Sequence, residues 1–167
     1  SFFVWFQKSL WELYDSDEPL SGLNWQVWQE RIQAAYRDSL HSKKTLVDKC
    51  AYRRLILDAY WKPGSDNDTP DLFMPTFRVN AFFFGYSTVA TDHDGNNPYV
   101  LYPHDFIFDL EEYVNWVRDS ILSHKASGCV ALKLPIAYDR SLDFCEIRKE
   151  KARDAFSRLT AASLGKP

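Results

Sequence analysis

Gly128-Cys129-Val130-Ala131-Leu132-Lys133-Leu134-Pro135-Ile136 decides how the rest of the chain is read. Lys133 is its one charged residue. Upstream, Leu110, Tyr113, Val114, Val117 and Ile121 recur at helical spacing over about 109–125. Asp109 stands near the start of that helix, Lys125 in its last turn, and Gly128 in the position that ends helices. A helix running straight into an apolar strand is half of a β/α unit. Two earlier runs supply further strands. Leu55-Ile56-Leu57 ends in Asp58-Ala59-Tyr60-Trp61 and the turn Lys62-Pro63-Gly64, and Phe73 to Tyr86 carries Phe77, Val79, Phe82, Phe83 and Phe84, interrupted by Arg78 and Asn80. A basic helix at about 146–162, burying Ala152, Ala155, Phe156 and Leu159, closes the chain. The order strand, strand, helix, strand, helix predicts an α/β fold with strands near 54–60, 74–84 and 129–136. Three strands cannot close a barrel, which takes about eight, so residues 52–167 read as part of a larger β/α protein.

Residues 1–51 have a different period. Phe3, Phe6, Leu10 and Leu13 mark an amphipathic helix that stops before Pro19. Trp25, Trp28, Ile32, Ala35 and Tyr36 mark a second helix over roughly 25–40 with Asn24 as its N-cap. A short third helix is expected at 43–51. Phe2, Phe3, Trp5, Trp11, Trp25 and Trp28 make this segment rich in aromatics, a composition that also suits a partner-binding face. A non-catalytic interaction domain built on these helices is therefore one functional alternative.

Composition narrows the classes. The chain has 167 residues, 46% apolar and 26% charged, and a net charge of −3 with both signs interspersed, which predicts a folded, soluble protein without a basic nucleic-acid face. No run has the length of a membrane span. Three cysteines without a C-x-x-C predict neither a disulfide framework nor a zinc ribbon and fit a reducing, cytoplasmic setting. The glycine spacings exclude a dinucleotide fingerprint, a phosphate loop and a nucleophile elbow. There is no H-x-H or H-E-x-x-H, so no complete catalytic zinc site is expected within these residues. His41 and His124 read as surface histidines. His93 and His104 fall in a loop expected over 87–108, long enough to cover a site. Within it, Asp92-His93-Asp94-Gly95-Asn96 fails the calcium-loop register, because Ala90 and Leu101 stand where carboxylates are required, and it reads as a turn.

In β/α barrels, reactive groups sit at the C-terminal ends of the strands. Asp58, Arg78, Asn80 and Lys133 meet that description, and Ala137-Tyr138-Asp139-Arg140 follows shortly after Lys133. Between apolar neighbours Lys133 is expected to be buried, which requires that it be paired, deprotonated or bound to something. A salt bridge to Asp58 or Asp139 would satisfy it as well as a functional role. Arg78 is either a structural or a substrate-binding arginine, and Asp58 has the same two readings. Alternation along the strand places Ala131 and Lys133 on one face, a pairing that suits a barrel interior.

The segment from Gly128 through Lys133, Tyr138 and Arg140 to Phe144 resembles the fourth-strand region of the amidohydrolase superfamily, in the amidohydrolase 2 branch near the uronate isomerases. The order of parts is similar too: aromatic helices, a strand ending in Asp58-x-x-Trp61, an arginine-bearing strand, a long insert, the Asp109-Leu-Glu-Glu-Tyr113 helix and the lysine strand. This resemblance implies that residues 52–167 are the second-to-fourth-strand portion of a TIM-like (β/α)8 barrel, with residues 1–51 as an N-terminal helical insertion. It implies a hydrolase that activates water on a divalent metal, zinc in the first place, with Lys133 as the fourth-strand metal lysine, carboxylated or as the free amine. Arg78 would then orient an anionic substrate group, with Asp58, Tyr138 and Arg140 around the mouth. The family's H-x-H and its later histidines and aspartate have no counterpart here, so this chain would be an inactive portion of a larger enzyme. Its implied partners are a small-molecule substrate, the remainder of the barrel and further copies in a homo-oligomer. A uronate-isomerase-like sugar isomerase on the same barrel is the other enzymatic alternative.

Overall fold

A computed structural model describes residues 2–59, 62 and 64–165. The chain divides into two compact units, Ser1–Arg53 and Arg54–Pro167, against an expected boundary at 51/52.

The first unit is helical. Helix α1 spans Phe2–Tyr14, α2 spans Trp25–Ala35 and α3 spans His41–Lys44, continued by a wide π turn over Thr45–Lys49. Leu10 and Trp28 are its buried apolar anchors. Asn24 precedes α2 but makes no side-chain capping bond. Its carboxamide instead folds the preceding link: Oδ1 accepts from the Ser21 N–H at 2.8 Å, and Nδ2 donates to Glu18 Oε1 and Pro19 O, both at 2.9 Å. Helix α2 ends at Ala35, short of the expected residue 40. His41, expected at the surface, is half-buried, with its ring 4.9 Å from Tyr36 and 5.9 Å from Tyr14.

The second unit is a mixed α/β arrangement. Strands β1 (Leu55–Leu57), β2 (Phe73–Arg78) and β3 (Ala131–Lys133) form a parallel sheet in the order β1-β2-β3. Each strand is shorter than expected. Pro75 of the central strand has no N–H to give the ladder, and the partners change around it. Pro75 is the last residue paired with β1 and Thr76 the first paired with β3. Beyond Arg78 the chain turns into a 3-10 turn, Asn80–Phe84, where a continuing strand was expected. The turn brings Phe82 back edge-on to Phe77, with ring centroids 6.2 Å apart.

Parallel partners share a face. The register therefore puts Leu57, Phe73, Pro75, Phe77 and Leu132 on one side, and Ile56, Met74, Thr76, Arg78, Ala131 and Lys133 on the other. The first side is the packed one. Phe77 is fully buried, in a core with Phe82, Ile107 and Tyr113, joined by Tyr99, Tyr102, Trp116, Val117 and Ile121. These come mainly from α4 (Pro98–Leu101) and α5 (Leu110–Ala126). Asp109 caps α5 by accepting from the N–H groups of Glu111 and Glu112 at 2.8 and 3.0 Å, and Gly128 leaves it with φ +103°. His124, expected at the surface, is half-buried and stacks on Phe77 at 3.7 Å. Helix α6 (Lys149–Ser163) packs on α5 through Phe156 against Tyr113 and through Lys149 and Arg153 on Glu111.

Candidate functional site

The carboxyl ends of the three parallel strands lie at one end of the sheet, and charged residues are concentrated there. Asp58 follows β1, Arg78 ends β2 and Lys133 ends β3, level with Arg78 in the ladder. Parallel β/α sheets place their chemistry at this edge, because the loops that follow the strands converge there.

Arg78 is the organising residue. Its Nε and Nη2 donate to Asp58 Oδ1 and Oδ2, both at 2.8 Å, a two-pronged match of guanidinium to carboxylate. Nη1 donates to Asp94 Oδ2 at 3.2 Å. Only 16% of the Arg78 side chain is exposed, so the pairing is partly shielded from water. The Arg78 guanidinium holds the Asp58 carboxyl below the usual carboxylate range, against the opposing effect of burial, with Lys133 adding a smaller pull in the same direction as Arg78. Thr76 Oγ1 reaches the same carboxylate at 3.5 Å.

The loop after β2 supplies the other half of the cluster. Asp92 is buried and holds the tip together: its Oδ1 accepts from the N–H groups of Asp94 and Asn96 at 3.0 and 2.8 Å, and Asn80 donates to its Oδ2. Gly95, at φ +79°, takes the left-handed conformation that closes this turn. At the loop base, Asn97 donates from Nδ2 to Ser87 O and Ala90 O at 2.8 and 2.7 Å. The expected turn at 92–96 is present, but it is built into the site. His93 sits at its tip between two carboxylates, Nδ1 at 3.0 Å from Asp139 Oδ2 and Nε2 at 3.3 Å from Asp94 Oδ2. Its imidazole is more basic than usual, first because of the Asp139 bond and then because of the charges of Asp139, Asp94 and Asp92.

Asp139 leaves a 3-10 turn, Ile136–Tyr138, anchored by buried Ile136. Tyr138 and Arg140, on either side of it, are exposed; Tyr138 leans on the His93 ring at 4.9 Å, and Arg140 lies over the Phe144 ring. Lys133 corrects the sequence reading. It is exposed, not buried, as is Leu132 on the opposite face, because β3 is the outer strand of the sheet and its end is open on both sides. Asp58 and Asp139 form their ion pairs with Arg78 and His93, not with Lys133. Trp61, the last residue of the Asp58-x-x-Trp61 strand end, lies outside the described residues.

The structure thus brings Asp58, Arg78, Asn80 and Asp139 into one cluster, with Lys133 at its edge and Tyr138 and Arg140 on its rim. Asp92, His93 and Asp94 were not singled out from the sequence as members. The available signal was the length of the loop beyond a strand that ends in charged residues. No family model matches the chain, and neither curated proteins nor solved structures provide a match to it. Among the described residues, no group of three or more His, Cys, Asp or Glu side chains is arranged to hold a metal ion, and no helix is long and apolar enough to cross a membrane.

Proposed function

We propose that Arg54–Pro167 forms part of the mouth of a β/α barrel belonging to an amidohydrolase-like hydrolase. The observation that carries this reading is the consecutive parallel order β1-β2-β3 with Asp58, Arg78 and Lys133 at the carboxyl ends of successive strands. A barrel adds its strands in sequence order and puts its functional groups at that end. The side chains of the described residues do not themselves fit a divalent metal, since one lysine amine is not a donor set. A metal-dependent reaction would require ligands from the remainder of the barrel.

Within this reading the chain's own residues divide the work. Lys133 presents an exposed amine to the mouth, where in its neutral form it can accept a proton, or add to carbon dioxide with release of one proton to solvent to become an anionic carbamate. Asp58 stays ionised because Arg78 grips it, and its charge faces the lysine across the strand ends. Arg78, with Nε, Nη1 and Nη2 engaged by carboxylates, is assigned to positioning Asp58 and the loop tip. Contact with an anionic group of a small-molecule substrate falls to Arg140 and Tyr138 on the exposed rim.

The test uses the native gene product that contains these residues. Its divalent metal content and its hydrolysis of a panel of carboxylate-bearing amides, esters and lactones are measured alongside a Lys133→Ala variant. Bound metal, turnover of at least one panel member, and loss of turnover in the variant are expected. A metal-free product, or a variant with unchanged turnover, overturns the reading. Interconversion of sugar acids in place of hydrolysis would replace it with isomerisation.

A further inference from the structure

Among the described residues, three side-chain contacts tie the tip of the 87–97 loop to its surroundings. Asn80 binds Asp92, Arg78 binds Asp94, and His93 binds Asp139. Only the third tether contains a group that changes charge near neutral pH. Of these three contacts, it is the one that joins the loop to the turn carrying Tyr138 and Arg140. The anchor side is well held: the Asp139 side chain is 7% exposed, and the backbone N–H groups of Asp139 and Arg140 both donate to Ile136 O, at 2.9 and 3.0 Å. One carboxylate receives His93 twice, Oδ1 from its backbone N–H at 2.7 Å and Oδ2 from Nδ1 at 3.0 Å.

The surroundings of the ring favour one protonation state. Nδ1 is hydrogen-bonded to Asp139 Oδ2 at 3.0 Å, and Nε2 lies 3.3 Å from Asp94 Oδ2 in a charge contact. A neutral imidazole has one N–H and one lone pair, so with Nδ1–H given to Asp139 its lone pair lies beside the Asp94 carboxylate, whereas the imidazolium sets positive charge against both carboxylates. We propose that His93 and Asp139 form a protonation-controlled clamp, which fastens the loop tip to the turn after β3 when the imidazole is charged and frees it when the imidazole is neutral. The opening it controls is the rim where Tyr138 lies against His93.

Among the described residues, charged and titratable groups face His93 from several elements. Asp139 and Tyr138 come from the turn after β3, and Asp92 and Asp94 from its own loop. Arg78 comes from β2 and shares Asp94 Oδ2 with the imidazole, so it opposes protonation, while Asp58 of the β1 end neutralises Arg78 from behind. Lys133 of β3 acts on Asp58. Among these described groups carboxylates outnumber cations, which favours the charged form.

The clamp is independent of the hydrolase reading, because its test needs no substrate. On the native gene product that contains these residues, the His93 imidazole is titrated by NMR and the exchange of the His93 amide is measured at pH 5.5 and 8.5, corrected for intrinsic chemistry. Charge-assisted hydrogen bonds are about twice as strong as neutral ones, so exchange roughly fivefold faster at the higher pH is expected. The Gly95 amide, which donates to Asp92 O, should not respond. Asp139→Asn keeps an acceptor oxygen but removes the charge, and it should lower the proton affinity of His93 roughly tenfold and abolish the pH dependence. Equal exchange at the two pH values, or an unmoved His93 titration in Asp139→Asn, overturns the clamp. If Asp139→Asn loses the protection of α5 amides, His93→Gln decides: a pH dependence of the residue 93 amide that survives without an imidazole refutes the proposal.

Discussion

Replacing Arg78 by Met tests whether the charge cluster is organised by one residue. Methionine keeps the apolar stem and removes the guanidinium, which makes two bonds of 2.8 Å to Asp58 and one of 3.2 Å to Asp94. Hydrogen bonds to charged groups contribute about 1.5–3 kcal/mol each. Part of that is offset by the cost of holding Arg78, 16% exposed, and Asp58, 29% exposed, away from water. A net loss of about 2–3 kcal/mol is expected, and about 1–2 kcal/mol for Asp58→Asn, which keeps the shape but not the charge. The double variant should fall short of the sum by about 1–2 kcal/mol, because the two single changes remove the same pair. Urea unfolding followed by near-UV circular dichroism measures each value as a midpoint change at constant slope. The pH dependence has a definite sign. The folded-state pKa of Asp58 is depressed, so its contribution is complete above the unfolded value of about 3.9 and disappears as pH falls through the lowered folded value. The gap between wild type and Asp58→Asn should therefore close in acid. A cost below about 0.5 kcal/mol for Arg78→Met, the range of ordinary surface substitutions, or strict additivity in the double variant would refute the reasoning.

Two further substitutions separate packing from chemistry. A Cβ on Gly85 would lie 1.8 Å from Tyr113 Oη and 2.1 Å from its Cζ. Gly85→Ala should therefore displace the buried ring and break its 2.7 Å bond to Phe82 O, costing about 2–4 kcal/mol in urea unfolding. Tyr113→Phe should not rescue this variant, because the ring carbon still clashes, whereas Tyr113→Ala should cost much less in the Gly85→Ala background than alone. Lys133→Ala, at an exposed position, should change stability by no more than about 0.5 kcal/mol. A larger loss would mean that Lys133 belongs to the folded core and not to the open mouth.

Local elements with strong periodicity are legible in the residues alone. Helix α5 was legible from Leu110, Tyr113, Val117 and Ile121, together with Asp109 and Gly128 at its ends, because capping and amphipathic spacing are local properties. The positions of the three strands and the location of Asp58, Arg78 and Lys133 at their ends were legible for the same reason. The strand lengths were not. Residues 79–84 are apolar enough for a strand, but burying Phe82 against Phe77, Tyr102 and Trp116 requires the tight turn that the chain takes there. Burial was the second quantity that only the tertiary structure decided. Lys133 lies among apolar neighbours in sequence yet is exposed, and His124 lies on a polar helix end yet stacks on the most buried phenylalanine. Alternation tells which residues share a face, but not which face is covered. The site depended most on tertiary structure, since the contact of His93 with Asp139 spans 46 positions in the chain. The two residues meet because Ile136 anchors one turn and Asp92 shapes the other, and the charges that join them have no periodicity by which they could be paired in advance.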